Sequence, residues 1–207
     1  MDHYPKPASQ SDTRLDDNIL RSEHQVFAKY AQRLSSVIAD YDWTKVLQLA
    51  QLILDVRSRR GRVYLCGNGG SAANAVHIAN DLVYAVAEKT GAGIDAIALS
   101  ANTAVLTCLG NDVGYENIYS EQLAVSAKPE DLLIVLSGSG NSQNIVNALQ
   151  IAQKRNMHTS AILGFDGGVC KKLAELPIHF NIDDMQIAED LQLTVGHMVM
   201  KWLKNEI

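Results

Sequence analysis

The order of apolar and polar residues divides the chain into two rhythms. From Asp16 onward Ile19, Val26, Phe27, Tyr30, Leu34 and Ile38 recur near a 3.6-residue period, which predicts an amphipathic helix. A second helix is predicted from Trp43 to Ser58, with Val46, Leu47, Leu49, Ala50 and Leu54 facing inward, ending before "RRG". The rhythm then changes. "RVYLCG" (62–67), "IDAIALS" (94–100), "DLLIVLS" (131–137), "TSAILGF" (159–165) and "PIHFNI" (177–182) are short, nearly continuous apolar runs separated by helical stretches. Runs of that kind mark strands of a parallel sheet covered on both faces. Five of them alternating with helices predict an α/β, doubly wound, five-stranded parallel sheet with N-terminal helices. A ligand is expected at the C-terminal ends of its strands. A last helix is predicted from about Met185 to Leu203. Residues 1–15, rich in Pro, Ser, Asp and Lys, read as a disordered tail, and 16–207 as one domain.

Composition narrows the class. Of 207 residues, 47% are hydrophobic and 20% charged, as in an ordinary globular domain, and the net charge is −5. Without a basic run, neither direct nucleic-acid binding nor a membrane surface is expected as a main partner. Nor does any apolar run reach the ~18 residues of a membrane span. Cys66, Cys108 and Cys170 are odd in number and lack CxxC spacing. They read as small buried hydrophobes in a reducing compartment, and the expected location is the cytoplasm.

Chemistry concentrates after the strands. "GNGGS" (67–71) lets backbone approach a ligand closely and opens a helix whose free N–H groups suit an anion. "SGSGNS" (137–142) presents Ser137, Ser139 and Ser142 around a glycine turn, again before a helix. "GFDGG" (164–168) reads as a tight turn. A dinucleotide site fits poorly. "GNGGSA" matches GxGxxA through Gly67, Gly69 and Ala72, but the second strand ends "IALSAN" without the acid that would hold a ribose. A P-loop is excluded, because no GxxxxGK[ST] occurs.

His77 and Asp81 lie four residues apart and so share a helix face one turn above the first loop. Glu189 and His197 on the last helix are offset by roughly 80° and about 12 Å on an ideal helix, too far for those two alone to chelate one ion. They can flank a substrate or converge with groups from another chain. Gly196, beside His197, lowers helix propensity and points to close packing or ligand approach.

Taken together, "CGNGGSAANAVHIAND", "CLGNDVGYENIYS", "LSGSGNSQNIVNALQIAQKRNM", "ILGFDGG" and "IAEDLQLTVGHMV" resemble the sugar-isomerase (SIS) domain proteins, phosphoheptose isomerase branch. The resemblance runs in order from about Ile19 to Leu203. It implies a flavodoxin-like homotetramer with oligomerising N-terminal helices and active sites between subunits, where Glu189 and His197 would meet His77 of a neighbour. It also implies a sugar-phosphate substrate. Asn68, Gly69, Gly70 and Ser71 would bind the sugar, Asn111 and Asp112 its hydroxyls, and Ser137, Gly138, Ser139 and Ser142 the phosphate.

The family's metal and acid–base set reads His, Glu, Gln, His, where this chain has His77, Asp81, Glu189, His197. Aspartate at 81 retracts the carboxylate by about 1.5 Å, against a proton-transfer reach of about 3 Å. Glutamate at 189 adds a second anion. Two imidazoles and two carboxylates suit Zn²⁺ or another divalent metal, while either acid, Asp81 or Glu189, can serve as base with His197 as acid. The family's arginine shortly after its glutamate is absent from "LVYAV" (82–86). The implied activity is aldose–ketose isomerisation of sedoheptulose 7-phosphate to a D-glycero-D-manno-heptose 7-phosphate type product through an enediol. The alternative is a non-enzymatic SIS tetramer that binds a sugar phosphate or a replication-initiator protein. The titratable cluster favours the enzyme.

Overall fold

The computed structural model describes residues 17–207, and the predicted 1–15 tail lies outside them. Two compact units divide at Tyr41 and Asp42. The first contains helix α1 (Asp17–Asp40), whose Val26 and Phe27 are 64% and 70% exposed. Ser35 and Ser36 turn their hydroxyls back onto the carbonyls of Ala31 and Gln32, which satisfies them within the helix.

The second unit, Asp42–Ile207, is the predicted α/β domain. Strands β1 (Val63–Cys66), β2 (Ala96–Ala98), β3 (Leu132–Ser137), β4 (His158–Leu163) and β5 (Leu176–His179) pair in parallel in the order β2-β1-β3-β4-β5. That is the flavodoxin-like order, whose switch point lies between β1 and β3. Alternation along the strands sends side chains to two cores. Tyr64, Cys66, Leu133, Val135, Ala161 and Leu163 pack with helices α6 (Ser120–Ser126), α7 (Gln143–Lys154) and α8 (Cys170–Leu173). Ile134 and Ile162 face helices α2 (Thr44–Ser58), α3 (Gly70–Asn80) and α9 (Met185–Glu206) on the other side. Full burial of both faces of β3 explains why its sequence is continuously apolar. At the β5 edge, Pro177 contributes no N–H, and Lys45 Nζ donates to its carbonyl at 3.1 Å.

Three local readings change. Leu47, predicted inward, is 44% exposed. It stands about 100° round α2 from Val46, in an open apolar groove with Trp43, Met198 and Trp202 rather than against the sheet. Cys108, predicted buried, is exposed near the end of helix α5 (Thr103–Asp112), with its thiol donating to Asp112 Oδ2 at 3.4 Å. The helix after the first loop is not continuous. Asp81–Ala85 forms a π turn before a short helix α4 (Ala87–Thr90), so Val86 N reaches back five residues to Asp81 O. The freed Leu82 carbonyl accepts from Ile94 N on the approach to β2 at 3.0 Å. Among the described residues, no helix is long and apolar enough to cross a membrane.

Candidate active site

At the C-terminal ends of β1 and β3, a cavity of about 270 Å³ is lined by Asn68, Gly69, Ser71, Ser137, Gly138, Ser139, Ser142, Met185 and Glu189, with Leu136 at its base. Its floor is the "SGSGNS" loop, and that loop is fixed by its own hydrogen bonds. Gly140 N donates to Ser137 Oγ (3.0 Å) and Asn141 N to Ser139 Oγ (3.3 Å). The "GFDGG" segment is a turn, as predicted, and also a buttress: Gly164 N donates to Gly138 O and Cys170 N to Gly140 O, both at 3.0 Å. Val169 N donates to Asn141 Oδ1 at 3.1 Å. The floor is therefore held rigid with hydroxyls beside the start of α7, a setting suited to a phosphate dianion.

The opposite wall is the "GNGGS" loop. Gly69 adopts φ +56°, in the region glycine occupies without strain. Asn68 is clamped by a partner that sequence reasoning missed. Its Nδ2 donates to Asn144 Oδ1 (2.9 Å), and Asn144 Nδ2 donates back to Asn68 Oδ1 (2.8 Å). Tyr115 OH donates to the same Asn68 oxygen at 3.0 Å, and Tyr119 OH donates to Gly67 O. Asn144 is buried within "SGNSQN", so its polarity just inside a helix start was the one available signal.

Asn111 and Asp112, predicted to meet sugar hydroxyls, do not line this cavity. They end α5, exposed and bonded to each other. The Asn111 amide, with the Cys108 thiol second, holds the Asp112 carboxyl below the usual carboxylate range. The reciprocal bond to Asp112 raises the Cys108 thiol.

The helices α3 and α9 run side by side and carry the titratable groups. Asn74 Nδ2 donates to Glu189 O at 2.9 Å and to Gln192 Oε1 at 3.3 Å. Farther along, a Cβ on Gly196 would stand 2.5 Å from Ile78 Cγ1, so this glycine serves close helix packing rather than ligand approach. Beyond it, His77 Nε2 lies 3.1 Å from His197 Nε2. Asp81 Oδ2 is 3.5 Å from His77 Nε2 and 3.7 Å from His197 Nε2. The resemblance implied that His197 would meet a neighbour's His77, but the two meet within one chain. His77 of α3 and Asp81, first in the π turn that follows it, are brought to His197 of α9 by the α3–α9 seam.

Their donor atoms lie within 4.8 Å of one another, and two imidazoles with one carboxylate suit Zn²⁺ or another borderline divalent ion. Glu189 is not in this group. Eight residues from His197, it is about 12 Å away along the helix and turns into the cavity instead. The two predicted acids thus occupy separate stations.

Comparison with known proteins gives the family. The family described as SIS domain matches residues 26–164. The phosphoheptose isomerase of Akkermansia muciniphila is 36% identical over 188 residues, covering 91% of this chain and 96% of that one. Among solved structures, a phosphoheptose isomerase from Neisseria gonorrhoeae superposes with a TM-score of 0.81 at 28% identity, covering 88% of this chain and 98% of the other. One from Francisella tularensis superposes at 0.80 with 23% identity, covering 91% and 98%, which bears on the fold alone. The chain belongs to the SIS-domain family, on the branch that contains the phosphoheptose isomerases.

Proposed function

We propose that this protein is a phosphosugar isomerase whose substrate is sedoheptulose 7-phosphate, converted through an enediol to a D-glycero-D-manno-heptose 7-phosphate type aldose. The observation that carries the reading is the serine- and asparagine-lined cavity of about 270 Å³ with a carboxylate, Glu189, in its wall. A cavity of this size accommodates one monosaccharide phosphate. Ser137, Ser139 and Ser142 hold the phosphate, and Asn68 and Ser71 hydrogen-bond the sugar. Gly69 and Gly138 keep backbone close to both. Asn111 and Asp112 are left for hydroxyls beyond the cavity. An acid, Asp81 or Glu189, takes the proton beside the carbonyl, and His197 carries a proton between the sugar oxygens.

His77, Asp81 and His197 would hold Zn²⁺, with a Glu189 carboxylate as fourth ligand only if a neighbouring copy supplied it. Bound there, the ion would supply Lewis-acid polarisation of the carbonyl. Assembly is proposed as a homotetramer in the cytoplasm. The exposed Val26 and Phe27 of α1, and the apolar groove of Trp43, Leu47, Met198 and Trp202, support association between copies.

The test is turnover of sedoheptulose 7-phosphate by purified protein, chelated and then resupplied with Zn²⁺, with the product sugar identified by NMR. Turnover is expected, and it should fall on chelation and return with the ion. Ser139→Ala should raise KM about tenfold by removing one phosphate donor. His197→Ala should lower kcat by about 10²-fold or more while sugar phosphate still binds. Binding without turnover in every metal condition would overturn this substrate and favour a sugar-phosphate-binding or initiator-binding role.

A further inference from the structure

Two carboxylates compete for one role, and the geometry points to Glu189 as the base that moves the carbon-bound proton, with Gly70 as the residue that seats it. This inference rests on the isomerase reading above.

Asp81 is committed elsewhere. Its side chain is only 14% exposed, and Oδ2 sits beside both imidazoles at 3.5 and 3.7 Å. It does not line the cavity, whereas Glu189 does. The placement of Glu189 follows from the backbone. Asp184 caps α9 by accepting from Ile187 N at 3.2 Å, which fixes the first turn. Asn74 then ties the Glu189 carbonyl to α3 at 2.9 Å. From that anchor the carboxylate falls directly over Gly70. A Cβ built on Gly70 would lie 2.2 Å from Glu189 Oε2, 2.4 Å from Cδ and 2.5 Å from Oε1.

Gly70 is not needed for its backbone. It stands first in α3 and, unlike Gly69, is not among the residues with positive φ. Any residue could adopt its conformation, so what the position requires is empty space. That space is occupied by the whole carboxylate of Glu189, which any side chain at position 70 would push aside. Gly70 is therefore a positioning residue acting through Glu189.

The step balances without an outside oxidant or reductant. Glu189 takes a proton from C1 of the ketose as the C1–C2 double bond forms, and the C2 oxygen gains a proton relayed from His197 through solvent. The enediol then returns its O1 proton by the same route, the C1 carbonyl forms, and Glu189, whose proton exchanges with solvent, delivers one to C2. C1 is oxidised and C2 reduced within one molecule.

The experiment compares wild type, Glu189→Gln, Gly70→Ala, the double variant and Asp81→Asn. Each is assayed for kcat and KM with sedoheptulose 7-phosphate, for deuterium incorporation at C2 in D₂O, and for Zn²⁺ affinity by chelator competition. Glu189→Gln should lower kcat about 10²–10⁴-fold and suppress deuterium incorporation, with zinc affinity unchanged. Gly70→Ala should keep its melting temperature, because the atoms displaced are the end of a flexible side chain. It should still lose about 10²-fold in kcat through misplacement of the base. The double variant should be no slower than Glu189→Gln, since both changes remove one function. Asp81→Asn should weaken zinc about tenfold or more by withdrawing a ligand.

Wild-type kcat in Glu189→Gln, or losses that multiply in the double variant, would overturn the assignment. So would a fall in zinc affinity in Glu189→Gln matching that of Asp81→Asn, which would make Glu189 a ligand. Those failures leave the isomerase reading standing. No turnover by the wild type overturns both.

Discussion

Gly140→Ala is expected to destabilise the protein by about 2–5 kcal/mol, combining left-handed backbone strain of about 1–2 kcal/mol with a steric overlap of about 1–3 kcal/mol. Gly140 has φ +66°, and a Cβ there would stand 2.1 Å from the carbonyl oxygen of Gly167. That oxygen is backbone, so no rotamer change relieves the contact. Relief means parting the loop after β3 from the loop after β4. Parting them breaks the 3.0 Å bond from Cys170 N to Gly140 O and strains the matching one from Gly164 N to Gly138 O. The serine-lined floor would move with them, so phosphate binding should fall in parallel. Urea denaturation followed by circular dichroism reads the first effect, and calorimetric titration with sugar phosphate reads the second. A stability loss under 1 kcal/mol would mean that the two loops can separate freely, contrary to the interlocked geometry.

Asn144→Ala should act on the other wall. Asn144 is 2% exposed, and its amide exchanges two hydrogen bonds with Asn68. Removing it strips Asn68 of both while leaving Asn68 polar and partly buried, a situation that costs about 1–3 kcal/mol. The side chain that faces the sugar is then held by Tyr115 through a single bond, so KM should rise about tenfold or more, equivalent to at least 1.4 kcal/mol. Asn144→Asp separates the two contributions. Its carboxylate still accepts from Asn68 Nδ2 but cannot donate to Asn68 Oδ1, so it should fall between wild type and alanine in KM. Tyr115→Phe removes one bond to Asn68 and should be milder than either. If Asn144→Ala lost stability but kept its KM, the amide pair would be structural only.

Strands β1, β3 and β4 were legible because burial on both faces leaves a continuous apolar run, and nothing else in the chain resembles "LLIVLS" between Asp131 and Gly138. The glycine and serine loops were legible for the same reason that they work: small residues at strand ends mark backbone approaching a ligand. What stayed hidden depends on contacts between distant residues. Asn68 and Asn144 are 76 residues apart, and neither looks unusual alone. The π turn at Asp81–Ala85 contains neither Gly nor Pro. It is met by distant partners instead: the carbonyl of Leu82 bonds Ile94 N, and Gly93 packs so close to Val83 O that a Cβ would stand 2.0 Å away. Leu47 was misplaced because α2 is apolar around more of its circumference than the sheet covers. Glu189 and His197 could be seen to be too far apart for one ion, but only the α3–α9 seam gives each its own surroundings.

The margins of the sheet have a consequence for self-association. A parallel sheet with an open border is a template on which another molecule can extend the ladder and begin a fibre. Here both borders are poor templates. β2 has only three residues, and β5 has four, one of them a proline whose carbonyl is already taken by Lys45. Copies of this chain therefore have little to gain by joining strand to strand. Association is left to surfaces other than the sheet margins, so crowding or overexpression should not draw copies into strand-extended fibres.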